Sequence, residues 1–562
     1  MKFTDYEYIR PDIELLKSKL TEFITQFTNA NSVFEQINVI ESFNQLDDEY
    51  TSMATLVEIR NSINTQDEFY EKEKEFFDTV APELQEYFQN FNMAIFNSKF
   101  KNELVEKYGE KFFKEIEISL KTFNPCIIED LQLENKLSTQ YDKLKASAAI
   151  EFDGKTLTLP QLSPYLENPN REVRKAAENA VCSFYETHEA EFDEIYDALV
   201  KVRHKMATKL GYENYIELGY YRMGRTDYNA EMVAKYRDQI KKYVVPLVQK
   251  IVKLQSERIG IPEMKSYDLN LTYINGNPQP LGTTKEKVKN AQAMYHDLSK
   301  ETGEFFDFMV EHELFDLDSK PGKAGGGYCT YIPKWRSPFI FSNFNNTAGD
   351  IDVLTHEAGH AFQVFCSRDA ILPSYLWPTM ESCEIHSMSM EFFTYPWMNK
   401  FFNDVDKRIY AHLTDSISFL PYGVTVDEFQ HVVYGNPNLT KDERKQAWRE
   451  IEKKYMPYKI YENELLNRGA WWFRQGHIFS SPFYYIDYTL AQVCAHQFFV
   501  KDLENHSKAF EDYYRLCCAG GSKTFLELLK IANLANPFED GALEKTMNFL
   551  SKWIDNFDKS KL

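Results

Sequence analysis

The chain has 562 residues, 43% of them hydrophobic, and a formal charge of −21 at pH 7. That length exceeds what one hydrophobic core usually organises, so two or more lobes are expected, stable without a metal. The acidic balance argues against a nucleic-acid or anionic-membrane partner, which needs clustered Lys and Arg, and no window approaches 18 consecutive apolar residues.

The start, from Met1 to Tyr8, lacks a basic segment followed by an apolar run, which leads to the expectation of a cytoplasmic protein. Eight scattered cysteines form no CxxC pair and read as reduced, mostly buried thiols. Cys366 and Cys383 flank the motifs described below, and isolated thiols of this kind are left out of the site.

Residues 1 to about 150 run through charged amphipathic segments, such as 12–24 and 71–77, with apolar residues at three- and four-residue spacing. This region reads as a helical wall or cover whose charge runs are solvated faces. At Asp153-Gly154 the pattern breaks, because Asp-Gly between alternating apolar residues signals a hairpin. A boundary just after Pro160 divides the chain into an N-terminal helical domain, 1–165, and a catalytic domain, 166–562. From Asn168 the helical pattern resumes to about residue 315, with loops near Gly260 and over Asn275 to Pro280.

Lys320 to Tyr328, with Gly325-Gly326-Gly327, cannot hold regular structure and reads as a mobile loop. It lacks the Gly-Lys-Ser/Thr ending of a phosphate cradle. Ser337 to Phe344 alternates like a strand. A strand with free edge groups at this point suits β-augmentation by an extended peptide; the alternative is an ordinary small sheet.

Next comes the stretch that carries the chemistry, Thr347 to Phe365, with His356-Glu357-Ala358-Gly359-His360 at its centre. Thr347 followed by Asp350 predicts a helix start in which the Thr hydroxyl caps an orphan N–H. At about 100° per residue, His356 and His360 share a stripe with Asp352, while Leu354, Ala358, Ala361 and Phe365 face a core. Two imidazoles one turn apart read as a zinc site, and Glu357 stands close enough to reach a water held on the metal as general base.

Catalytic zinc needs a third protein ligand and an open fourth position. After Pro378 a second helix places Glu381, Glu384 and Glu391 on one face, and an apolar-flanked helix rarely buries three acids without a cation. Spacing leaves the ligand as Glu384 or Glu381, with the others supporting it, and makes His386 a core histidine. Farther on, His477, Tyr484, Tyr485 and Tyr488 surround the turn Ser480-Ser481-Pro482, ahead of a helical run from Thr489. Phenol and imidazole donors suit an oxyanion site; core packing is the alternative.

Together His356 to His360, Met380 to Phe393 and His477 to Tyr488 resemble the thimet-oligopeptidase and oligoendopeptidase F family of zinc peptidases, the oligoendopeptidase F (Pz-peptidase) branch more closely. The resemblance implies a mostly α, two-lobed helical zincin with a small β region and a deep central channel. It implies one Zn²⁺ per chain on His356, His360 and Glu384, Glu357 as base, and His477, Tyr485 and Tyr488 as substrate and oxyanion contacts. Where the thimet branch has a glycine-rich stretch this chain has Ser480-Ser481-Pro482, and a third tyrosine of that branch is not carried over. The function expected is an intracellular endopeptidase for short peptides. Its rivals are a metallocarboxypeptidase, for which no grip on a terminal carboxylate is found, and a peptide-binding protein with a structural metal.

Overall fold

A computed structural model describes residues 1–320 and 322–562. The chain is 71% helical, with few strands and no barrel among the described residues, as the sequence predicts. It forms two compact units, each drawn from three separated stretches.

The first unit comprises Met1–Pro125, Pro280–Asn403 and Cys494–Ala535. Its N-terminal part is a set of α-helices, the first three of which start at side-chain caps. Asp12 accepts from the Leu15 N–H before the helix Ile13–Asn29, and Ser32 accepts from the Glu35 N–H before Val33–Ile63. Leu16, Leu20, Phe27, Ile40, Phe43, Leu84 and Phe91 fall on the facing sides and form one core. Each side chain buried in this way contributes roughly 1.5–3 kcal/mol.

A three-stranded sheet follows, β3 (Phe315–Asp318), β4 (Tyr328–Ile332) and β5 (Ser337–Phe344), numbered after the hairpin strands β1 (Ile150–Phe152) and β2 (Lys155–Leu157). The strand order is β3-β5-β4, with β3 parallel and β4 antiparallel to β5. Ser337 to Phe344 is therefore a strand, but the expectation that it offers free edge groups is overturned. It is the middle strand, paired on both sides and buried at nearly every residue. The outer edges belong to β3 and β4. Alternation of side chains reports the faces of a strand and carries no information on its neighbours.

The loop between β3 and β4 has no regular structure, but its described residues are tied down rather than loose. Asn343 Nδ2 donates to the carbonyls of Ala324 and Gly326, each at 2.8 Å, and Gly322 O accepts from the Thr65 N–H at 2.7 Å.

The second unit comprises Cys126–Gln279, Asp404–Val493 and Asn536–Leu562. It holds the predicted hairpin, where Asp153 (φ 52°) and Gly154 (φ 69°) make a two-residue turn with both centres left-handed. The helix Val245–Ile259 stops at Gly260 (φ 70°), as the sequence predicts. Long helices, Glu189–Lys209 and Val405–Gly435 among them, enclose Tyr196, Phe429, Trp448 and Trp472.

All eight cysteines are free thiols. No helix among the described residues is long and apolar enough to cross a membrane.

Candidate active site

The central motif lies on the helix Gly349–Ser367, in the first unit. Its start differs from the expected Thr347 cap: the N-cap is Ala348, and the Thr347 hydroxyl donates to Asn345 Oδ1 at 2.7 Å. Asp350 does the capping work in reverse. Its carboxylate accepts from the backbone N–H groups of Asn345 and Asn346 at 2.8 and 3.0 Å, and from Lys287 Nζ at 2.6 Å. Lys287 and Asp350 are both buried, so the turn leading from β5 into the helix is held by a desolvated ion pair.

One helical turn apart, His356 and His360 stand with ring centroids separated by 5.0 Å. Leu354, Ala358 and Ala361 on the opposite side are fully buried, the two-faced pattern expected. The acids come from the helix Met380–Phe393. Glu384 Oε2 lies 3.3 Å from His356 Nε2 and 3.5 Å from His360 Nε2. Metal–ligand bonds of about 2.0–2.2 Å in tetrahedral geometry separate neighbouring donors by about 3.3–3.6 Å. The three groups therefore have the spacing of a metal site, and all candidate donor atoms fall within 4.8 Å of one another. Glu381 is buried too, yet among the described residues it does not join this cluster.

Two more carboxylates complete the surroundings. Glu391 Oε1 sits 2.6 Å from His356 Nδ1, which places the ring proton on Nδ1 and turns the Nε2 lone pair toward Glu384. Glu357 is 7% exposed, and its Oε2 has no hydrogen-bond partner among the described residues. Burial pushes its carboxyl above the usual range, against the pull of His356 and His360. A buried carboxylate with an unengaged oxygen is suited to taking a proton. His386 is a core histidine as expected: fully buried, its pKa pushed down to about 3 by burial.

Gly359, inside the motif, is a residue whose role sequence reading missed. A Cβ there would lie 2.6 Å from both His386 O and Ser387 Cα, so glycine lets the two helices touch backbone to backbone. The signal was present, since a glycine in a helix interior costs about 1 kcal/mol relative to alanine and asks for a packing reason. Lys287, far from any motif, gave no signal.

His477, Tyr485 and Tyr488 belong to the second unit, where they form one aromatic cluster. His477 Nε2 is 3.3 Å from Tyr488 Oη, and the His477 and Tyr485 rings are 5.2 Å apart. The helix begins at Tyr485, four residues before the expected Thr489, so Tyr485 and Tyr488 share a face of its first turn. Gln475, unforeseen, orients the histidine. Its Oε1 accepts from Tyr422 Oη at 2.8 Å, which leaves the amide nitrogen to donate to His477 Nδ1 at 2.8 Å. The His477 proton then lies on Nε2, toward Tyr488. Burial, then the nearby Tyr422, raises the Tyr485 pKa well above its usual value, so its hydroxyl stays a donor.

The Peptidase M3 N-terminal domain model matches residues 3–123, and the Peptidase family M3 model matches residues 164–548. The chain belongs to peptidase family M3. As an M3 peptidase it is a hydrolase and metalloprotease of the oligopeptidase kind, acting on peptides. It is similar to a solved structure of Pz peptidase A with an inhibitor, at 52% identity and a TM-score of 0.97, with 100% of each chain covered. An oligoendopeptidase F homolog of Lactococcus lactis subsp. lactis (strain IL1403) is 24% identical, with 90% of each chain covered. Oligopeptidase PepF of Bacillus subtilis (strain 168) is 22% identical over 68% of this chain, a match that spans just over half, 56%, of that relative. The resemblance drawn from the three motifs is thus borne out.

Proposed function

We propose that this M3 peptidase is a zinc-dependent endopeptidase that hydrolyses internal bonds of short unstructured peptides in the cytoplasm. The observation that carries the reading is the convergence of His356 Nε2 and His360 Nε2 on one oxygen of Glu384, at 3.3 and 3.5 Å. Two imidazoles and one carboxylate are the donor set of catalytic zinc, which keeps a fourth position for substrate. One Zn²⁺ per chain would be held there, and when bound it supplies Lewis-acid polarisation of the scissile carbonyl and of water.

In this reading Glu357 takes a proton from the attacking water and delivers it to the leaving amine. Its burial, which raises its proton affinity, supports that role. Glu391 holds the His356 tautomer. His477, Tyr485 and Tyr488 take the roles of substrate and oxyanion contacts, with their hydroxyl and imidazole hydrogens as donors. The outer edge of β4 suits an extended peptide, because it follows Gly327, where a Cβ would lie 3.7 Å from Glu357 Oε1.

Along the sequence, 1–165 is proposed as the N-terminal helical domain and 166–562 as the catalytic domain, a division supported by the matches over 3–123 and 164–548. The compact units cut across it: residues 1–125 share a unit with 280–403, and 126–165 belong to the other. The eight free thiols suit a reducing compartment.

Mass spectrometry of a mixed peptide library, part of it blocked at both ends and part with free C-termini, digested with and without chelator, tests the reading. Internal cleavage that chelator abolishes and zinc restores is expected. Cleavage confined to peptides with a free C-terminus supports a metallocarboxypeptidase instead. Zinc and peptide binding without any cleavage supports the non-catalytic alternative.

A further inference from the structure

The turn before the helix Tyr485–Glu504 is built on a residue in an unusual conformation. Phe483 has φ of 68°, a left-handed backbone that L side chains avoid and that glycine or asparagine ordinarily supplies. Such a conformation persists only where the surroundings over-determine it.

Three sets of contacts do so here, all within the second unit. The Phe483 N–H donates to Gln430 Oε1 at 2.8 Å, from the helix Val405–Gly435. The Phe483 carbonyl accepts from Arg225 Nη2, which also donates to Asp487 Oδ1 at 2.7 Å. The Phe483 ring is fully buried, with His431 and Tyr434 centroids 4.9 and 5.4 Å away. Gly219 provides the space, since a Cβ there would lie 2.6 Å from the Phe483 ring.

Arg225 thus joins the carbonyl two residues before Tyr485 to the carboxylate between Tyr485 and Tyr488. Its guanidinium is 4.3 Å from the Tyr220 ring centroid, and the Arg225–Asp487 pair is buried on both sides. One guanidinium nitrogen, Nη2, bonded to both acceptors, with the guanidinium held over the Tyr220 ring, ties the turn to the first helical turn.

We propose that Arg225 is a positioning residue of the peptidase: by bridging Phe483 O and Asp487 it fixes the first turn of the helix, and so the hydroxyls of Tyr485 and Tyr488 beside His477. The inference rests on the roles given above to those two tyrosines.

The test is a set of variants of the zinc-loaded enzyme: Arg225→Lys, which keeps the charge opposite Asp487, and Gly219→Ala, which displaces the Phe483 ring without touching any charge. Each is made alone and in a Tyr485→Phe/Tyr488→Phe background, with kcat, KM, zinc content and Tm measured. In the wild-type background kcat falls about tenfold or more, as misplacement of a reacting group entails. KM stays within about twofold. In the double-Phe background the same changes lower kcat by less than about twofold, because the groups they position are gone. Equal fold-losses in both backgrounds, as for a purely structural role, overturn the proposal. So does an unchanged kcat in the wild-type background while the Phe variants lose activity. Phe variants that keep full turnover overturn the tyrosine roles, and the proposal with them. Where Arg225→Lys fails to fold, Gly219→Ala carries the same comparison.

Discussion

His356 Nδ1 lies 2.6 Å from Glu391 Oε1, across 35 residues of sequence. The contact fixes which imidazole nitrogen carries the proton and thereby which one faces Glu384. Glu391→Ala is expected to weaken zinc binding by about 10 to 100-fold, the usual effect of losing such an orienting carboxylate. Competition with a calibrated chelator measures it, and an affinity within about twofold of wild type would remove Glu391 from this role.

Glu357→Gln preserves size and cannot accept a proton. Zinc content near one per chain is expected with turnover lowered by about 10² to 10⁴-fold, the range for a lost general base. Metal analysis alongside cleavage of a fluorogenic peptide checks both halves, and near wild-type turnover in the zinc-loaded variant sinks the assignment.

Gly359→Ala places a Cβ 2.6 Å from backbone atoms of His386 and Ser387, which cannot rotate away as a side chain could. The helices must separate, at about 1–3 kcal/mol for overpacking of this kind. A fall in both Tm and zinc affinity is expected. Loss of stability with unchanged zinc affinity would mean that the contact supports the fold but not the donor spacing.

Lys287→Met leaves Asp350 buried without its cation, although 2.6 Å now separates the pair. Breaking a buried pair from one side costs about 3–5 kcal/mol. Urea denaturation of the zinc-free protein reads the loss directly, and a change below about 1 kcal/mol would show that the two backbone N–H groups alone satisfy Asp350.

For Tyr485 and Tyr488 the readings as packing residue and as catalytic donor part over one hydroxyl. Tyr→Phe at an oxyanion contact slows turnover by about 10² to 10³-fold, or 2.7–4 kcal/mol, with KM little changed. At least one of the two is expected to behave so, with zinc content constant. Turnover within about threefold of wild type in both would leave them as core residues.

Helical class, the hairpin at Asp153-Gly154, the pairing of His356 with His360 and the acid-bearing helix were all legible in the sequence, because each is set by local periodicity. A period of 3.6 residues fixes the angular place of a side chain on its own helix. What that period leaves open is which faces meet. The choice between Glu381 and Glu384 at the histidines is made by the approach of two helices at Gly359, and Glu391 reaches His356 through the same contact. The strand Ser337 to Phe344 alternates as a strand should, yet its place in the middle of the sheet depends on pairing with two segments that both precede it in sequence, one parallel and one antiparallel. Phe483 is the plainest case: no local rule gives a left-handed turn to phenylalanine, and only Arg225, Gln430 and the space above Gly219, brought together by tertiary packing, make that conformation the stable one.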